Sequence, residues 1–221
     1  MDNIVDFDRF ENQKIIPGNG QSPYTGYIVF RAWDNILKRN VVVKYGKSPN
    51  NMHRDILDEY NLLSELNHLG IIKVWDCIQY PVIGVFDADY YMIMSDHVLG
   101  GRRSRWREIF KTMNTASCRS FVRSMLHSLF YLQTQHILNE DVEMANIVAT
   151  DPAFPIMIDF GRARKQVYSE GYLIEMLHPR NNTRVNAWVR ELCGIGGKYA
   201  EEGPMVNFDI EGIIILELEK V

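Results

Sequence analysis

Residues 139–161 read NEDVEMANIVATDPAFPIMIDFG. A polar run, 139–146, gives way to two short apolar stretches, 147–149 and 156–158, which suit strands. Asp141 is followed five positions on by Asn146, and thirteen further by Asp159, which opens Asp159-Phe160-Gly161. Phosphoryl transfer needs such a set. One carboxylate positions the attacking hydroxyl, while an Asn and a second carboxylate hold metal ions against phosphate oxygens. Singly, each residue has a plainer account, since Asp and Asn are frequent in loops and a Gly after Asp-Phe can make a turn. The combination, set between a long helical pattern and two strands, favours the chemical account.

Upstream of this stretch, residues 117–136 carry Phe121, Met125, Leu129 and Leu132 at helical spacing. The first hundred residues are different in character. Residues 24–33 and 40–45 are β-branched and aromatic, with a polar turn of Asp34, Asn35, Lys38 and Arg39 between them, and read as an antiparallel pair. Residues 51–68 place Ile56, Tyr60, Leu63 and Leu66 at three- and four-residue steps, an amphipathic helix. Two further strands are expected over 71–80 and 90–98, and Gly100-Gly101 mark a break before the helical part. Strands with one helix, then a break, then helices with a small hairpin give an α+β, two-lobed order.

Asp141-x-x-x-x-Asn146 followed by Asp159-Phe160-Gly161 resembles the catalytic loop and metal-binding motif of eukaryotic protein kinases. The resemblance implies Asp141 as catalytic base and Asn146 and Asp159 as metal ligands. It extends over roughly 15–218. Val41-Val42-Val43-Lys44 resembles the strand whose lysine contacts the α- and β-phosphates, and Glu59 stands where its ion-pair partner is expected, with Asp58 pointing elsewhere. Alone, Lys44 and Glu59 would be read as a solvated strand lysine and a solvated helix carboxylate. Residues 66–74, LNHLGIIKV, and 90–101, YYMIMSDHVLGG, are similar to the family's post-helix and hinge segments. Met94 would then back the adenine pocket, with the backbone of Ser95, Asp96 and His97 facing the adenine edge. Gly18, Gly20 and Gly26 offer a lengthened glycine-rich loop over the phosphates, although Pro23 interrupts it and an ordinary turn accounts for it equally well. Asp209-Ile210-Glu211-Gly212 resembles the start of the large lobe's core helix, and Asp209 also suits a helix N-cap.

The expected organisation is one kinase-like domain over 1–221, with a β-rich N-lobe over about 12–95, a hinge over about 95–101 and a truncated helical C-lobe over about 102–221. Four departures stand out. Asn139-Glu140 replaces the usual His-Arg, and Glu143 sits where a lysine would steady the phosphoryl group. No Ala-Pro-Glu follows in 162–207, and the chain ends just past the core-helix motif. Arg162 and Arg164 could offset the Glu143 charge, with solvated loop arginines as the plainer account. Tyr168, Ser169 and Thr183 are modifiable but not marked out by their surroundings. Arg102, Arg103, Arg105 and Arg107 suit a solvated helix face better than an acidic-partner site.

A hydrophobic fraction of 46% and a charged fraction of 24% over 221 residues fit an ordinary globular protein. A net charge of −4 argues against non-specific nucleic-acid binding. The acidic first ten residues do not form a secretory signal, and the apolar run 213–216 is too short to span a bilayer. Cys77, Cys118 and Cys193 read as free thiols in a reducing compartment, and the six histidines lack zinc-site spacing. A cytoplasmic protein is expected, the nucleus being open as well. The resemblance implies a kinase using ATP with Mg2+ or Mn2+ to phosphorylate Ser or Thr hydroxyls of a protein substrate. The alternatives are a pseudokinase that binds and regulates a protein partner and, third, a small-molecule kinase.

Overall fold

A computed structural model describes residues 8–16, 27–46, 52–81, 88–101, 103–139 and 141–165. The chain divides into two compact units: Met1–Asn67 with Ile72–Asp96, and His68–Ile71 with His97–Val221. The architecture is α+β.

In the first unit β1 (Phe10–Ile15), β2 (Tyr27–Asp34), β3 (Arg39–Gly46), β4 (Val74–Pro81) and β5 (Ala88–Ser95) form an antiparallel sheet in the order β1-β2-β3-β5-β4. The two-residue period sends Phe30 and Ala32 of β2 and Val41, Val43 and Tyr45 of β3 to one face. There they form a core with Phe10, Tyr91 and Ile93. The opposite phase leaves Lys44 on the other face, where α1 (Met52–Ser64) packs over β3, β4 and β5. Ile56, Glu59 and Leu63, at i, i+3 and i+7, make the buried stripe of α1, while Asp55 and Asp58 are exposed.

The β2–β3 turn is closed from within. Asp34 Oδ1 accepts from the backbone N–H groups of Ile36 and Leu37 at 2.8 and 3.0 Å. Asp34, fully buried, also takes the guanidinium of Arg9, which reaches Asp76 of β4 at 2.8 Å with its remaining nitrogen. Arg9 thus joins the start of β1 to both the β2 end and the far edge strand. Burial opposes ionisation of Asp34, yet Arg9 and the Leu37 and Ile36 N–H groups hold its pKa below the ordinary value.

The second unit is built on α3 (Thr115–Thr134), whose N-terminus is capped by Asn114 accepting from Ser117 N at 2.9 Å. Beside it, α2 (Arg103–Thr112) contributes Trp106 and Phe110, which pack with Phe121 at ring-centroid distances of 5.0 to 5.5 Å. Trp106 Nε1 donates to the Ile147 carbonyl at 2.8 Å. Three short strands, β6 (Leu99–Gly100), β8 (Ile147–Ala149) and β9 (Ile156–Met157), form one sheet, and β7 (Ile137–Leu138) pairs with β10 (Arg164–Lys165). Gly100 has φ +82°, and a Cβ there would lie 2.5 Å from the Ile147 oxygen.

Several expected boundaries shift. The helix expected over 51–68 ends at Ser64, and Leu66 stays buried beyond it through a turn closed by its N–H to the Leu63 carbonyl. The strand expected from 71 begins at Val74, because Ile71 bridges Met157 and Gly70 O accepts from Met157 N in the second unit. The strand expected over 90–98 ends at Ser95. β1 was not expected; of FENQKI only Phe10 is buried. The motifs at 18–26 and 209–212, with Tyr168, Ser169, Thr183 and Cys193, lie outside the described residues.

Candidate active site

In the first unit, Lys44 sits at the centre of the sheet, opposite Val29 of β2 and Met92 of β5. Its Nζ meets Glu59 Oε2 at 2.6 Å, and the two side chains are 12% and 2% exposed. The Tyr27 ring lies 5.0 Å from the same ammonium. Tyr27 donates to Asp55 of α1 at 2.9 Å; desolvation and that carboxylate push its pKa up. Glu59 is buried because it shares the apolar stripe of α1, and a buried carboxylate needs a cation. Met94 is buried in β5, opposite Val42 and Val74. Ser95 N donates to the Lys73 carbonyl at 2.9 Å, so that N–H is engaged within the unit. Asp96 accepts from Arg31 Nε at 2.7 Å. His97 falls in the second unit, with Nδ1 3.0 Å from Thr150 Oγ1.

The second unit gathers the three residues of the 139–161 stretch. Asn139, buried, accepts from Asp141 N at 2.9 Å through Oδ1, an Asx turn that sets the backbone of Asp141. From the other side, Asn146 Nδ2 donates to the Asp141 carbonyl and to Asp141 Oδ2, both at 3.0 Å. A 3-10 turn, Met144–Asn146, orients Asn146, closed by Asn146 N donating to the Glu143 carbonyl at 2.9 Å. Ile158 N then donates to the Asn146 carbonyl at 2.9 Å, which fixes the residue before Asp159 against the residue that holds Asp141. Asp159 adopts φ +60° and is exposed, and Phe160 next to it is buried at 1%. Left-handed backbone is costly for most side chains and is tolerated best by Gly, Asn and Asp. Here the buried Phe160 and the β7–β10 pairing, Arg164 opposite Leu138, hold it in place. Arg162 Nη1 stands 3.7 Å from Asp141 Oδ1.

The family profile described as Protein kinase domain matches residues 18–183, well over half of the chain. The chain belongs to the protein kinase family. Among its relatives, it is 29% identical over 147 residues to Cyclin-dependent kinase G1 of Arabidopsis thaliana, covering 62% of this chain and 23% of that protein. It is 29% identical over 110 residues to Mitogen-activated protein kinase 13 of the same plant, covering 49% of this chain and 29% of the relative. To mouse Serine/threonine-protein kinase 32C it is 23% identical over 163 residues, covering 72% and 31%. The chain therefore spans less than a third of the length of each of these relatives.

Within this protein kinase domain, two sets of expected residues are assembled: Lys44 with Glu59, and Asp141 with Asn146, one backbone hydrogen bond from Asp159. Asp58 points away from the pair, being exposed. Gly18, Gly20 and Gly26 are outside the described residues. One contributor was missed as such. Asn139 counted only as a departure from the family pattern, although an Asn two residues before a key Asp is a recognisable Asx-turn signal. Arg162 stood as a candidate to offset the Glu143 charge, with a solvated loop arginine as the plainer account; its contact with Asp141 has no local signature.

The donor set suits a hard divalent cation. Asn146 turns its amide nitrogen to Asp141, so its oxygen faces elsewhere, and Asp159 adds an exposed carboxylate. Among the described residues no group of three or more His, Cys, Asp or Glu could hold a metal by protein ligands alone. Two oxygen donors fit Mg2+ or Mn2+, which complete their shell from phosphates and water. Among the described residues, too, no helix is long and apolar enough to cross a membrane.

Proposed function

We propose that this chain is an active protein kinase that uses ATP with Mg2+ or Mn2+ to phosphorylate Ser or Thr hydroxyls of a protein substrate. The observation that carries the reading is the double clamp on Asp141, its backbone set by Asn139 and its carboxylate by Asn146. The buried Lys44–Glu59 pair supports it.

ATP supplies the phosphoryl group, and the divalent cation offsets its charge. Asp141 takes the proton of the substrate hydroxyl as that oxygen bonds to the γ-phosphorus and the bond to ADP breaks, ADP leaving with the electron pair. Asn146 holds Asp141 in the rotamer that keeps Oδ2 engaged and Oδ1 for the hydroxyl. Asn146 and Asp159 would hold the cation, and Lys44, steadied by Glu59, would meet the α- and β-phosphates. Met94 and the backbone of 95–97 would take the adenine. The free thiols of Cys77 and Cys118 suit a reducing, cytoplasmic setting.

A second reading, a pseudokinase that binds and regulates a protein partner, is favoured by one observation: Arg162 stands on the Asp141 oxygen that a hydroxyl would use. Radiolabelled phosphate transfer to itself and to generic Ser/Thr substrates, together with ATP binding, separates the two. Transfer that needs Mg2+ or Mn2+ and is lost in Asp159→Asn supports the kinase. Metal-dependent binding without transfer supports the pseudokinase.

A further inference from the structure

We propose that Arg162 is the cation that steadies the transferring phosphoryl group, resting on Asp141 when the site is empty and moving onto the phosphate when nucleotide binds. This rests on the nucleotide-binding reading above.

Electrostatics first demands such a group. Asp141, Glu143 and Asp159 bring three carboxylates into one short loop system, and a phosphoryl group carrying several negative charges must approach them. A divalent cation, which Asn146 and Asp159 would hold, would answer part of that repulsion. Glu143 stands two residues from Asp141 at the entrance to the 3-10 turn. The 139–146 loop holds no Lys or Arg, so a positive charge for the phosphoryl group comes from elsewhere in the chain. Arg162, three residues past Asp159, is the arginine that the fold brings to Asp141.

The geometry of that contact is that of a resting place. At 3.7 Å it is longer than a charge-assisted hydrogen bond of about 2.8 Å. The Arg162 side chain is 73% exposed, so the pair is screened by water and the guanidinium is free to swing. Asp141 Oδ2 is taken by Asn146, which leaves Oδ1 for the hydroxyl, and Oδ1 is the oxygen Arg162 faces. Arg162 must therefore leave Oδ1 before a hydroxyl takes it, and the γ-phosphoryl group of the bound nucleotide draws it off. The hydroxyl oxygen sits about 2.8 Å from a catalytic carboxylate, and the phosphorus about 3 to 3.5 Å beyond it. The displaced guanidinium thus finds phosphate oxygens within about 6 Å of Asp141, and these offer it two parallel hydrogen bonds in place of one loose contact.

The test is calorimetric titration of the full chain with a non-hydrolysable ATP analogue and with ADP, both with Mg2+. In Arg162→Ala the analogue should bind about tenfold more weakly while ADP affinity changes less than about twofold, because only the analogue carries the γ-phosphoryl group. Arg162→Lys should keep most of the discrimination, and adding Glu143→Lys to Arg162→Ala should restore it. Arg162 is exposed and Glu143 half-buried, and an unchanged melting temperature checks folding. An unchanged analogue-to-ADP ratio in Arg162→Ala overturns the inference while leaving ATP binding intact. Wild type that binds neither nucleotide overturns both. Lost discrimination in a protein that transfers no phosphate supports the role of Arg162 and removes the active-kinase reading alone.

Discussion

Asn146 donates from one amide nitrogen to both the backbone carbonyl and the Oδ2 of Asp141, each at 3.0 Å. A single side chain thereby sets the position and the rotamer of the residue five places before it. Replacing it by Ala leaves the carbonyl and the carboxylate without that donor. Phosphate transfer should fall by at least about 100-fold, with a stability loss of about 1 kcal/mol. Asn146→Asp should also fail, since a second carboxylate would face Oδ2. Initial rates and thermal melts of both variants check this.

Asn139 works on the same residue from the other side, through its 2.9 Å bond to Asp141 N. Asn139→Ala should lower transfer about tenfold while Asn139→Asp, which keeps the acceptor oxygen, should retain most of it. Equal losses in the two variants would argue against the Asx turn as the working part.

The Lys44–Glu59 pair is mostly buried, so removing one partner strands the other. Lys44→Met should destabilise the protein by about 3 kcal/mol, and adding Glu59→Gln should recover much of that. Nucleotide binding should be weak in both. Denaturant melts and calorimetry on the single and double variants separate the stability role from the binding role.

Asp34 links stability to pH. Its folded pKa is held below the ordinary 3.8, so its contribution is fully present above about pH 4 and is lost as pH falls through the depressed value. Asp34→Asn should lower the melting temperature clearly at pH 7, and the gap to wild type should narrow as pH drops below 4. A gap that stays constant to pH 2 would place the loss elsewhere than in the charge on Asp34.

Gly100 has both a left-handed φ and no room for a Cβ, which would meet the Ile147 carbonyl and the Trp106 ring. Gly100→Ala should cost about 3 kcal/mol, measured by urea unfolding. Gly101 shares the positive φ but has only a 3.7 Å neighbour at that point, so its Ala variant should cost less.

Local sequence determined what local physics can encode. The two-residue alternation in YIVFRAWD and RNVVVKYG specified a half-buried strand pair, and the 3.6-residue period specified α1 and α3. Asp141, Asn146 and Asp159 were legible because a fixed spacing of chemically distinctive residues needs no knowledge of the fold. Glu59 was legible by its order after Lys44, whereas its burial followed from sharing a stripe with Ile56 and Leu63.

Tertiary structure decided the rest. β1 is polar between Phe10 and Ile15, buries only Phe10, and becomes a strand only by pairing with β2. Arg9 meets Asp34 and Asp76, 25 and 67 residues away, and no pattern near Arg9 announces either. Ile71 was expected to begin a strand but lies instead beside Met157, where Gly70 leaves room for Ser128 of α3. The sequence offers Arg162 and Arg164 alike as a counter-charge to Glu143, and the folded chain puts Arg162 beside Asp141. Periodicity and spacing are properties of neighbouring residues. The contacts that place charges depend on which distant segments the backbone brings together, and only the folded chain selects those.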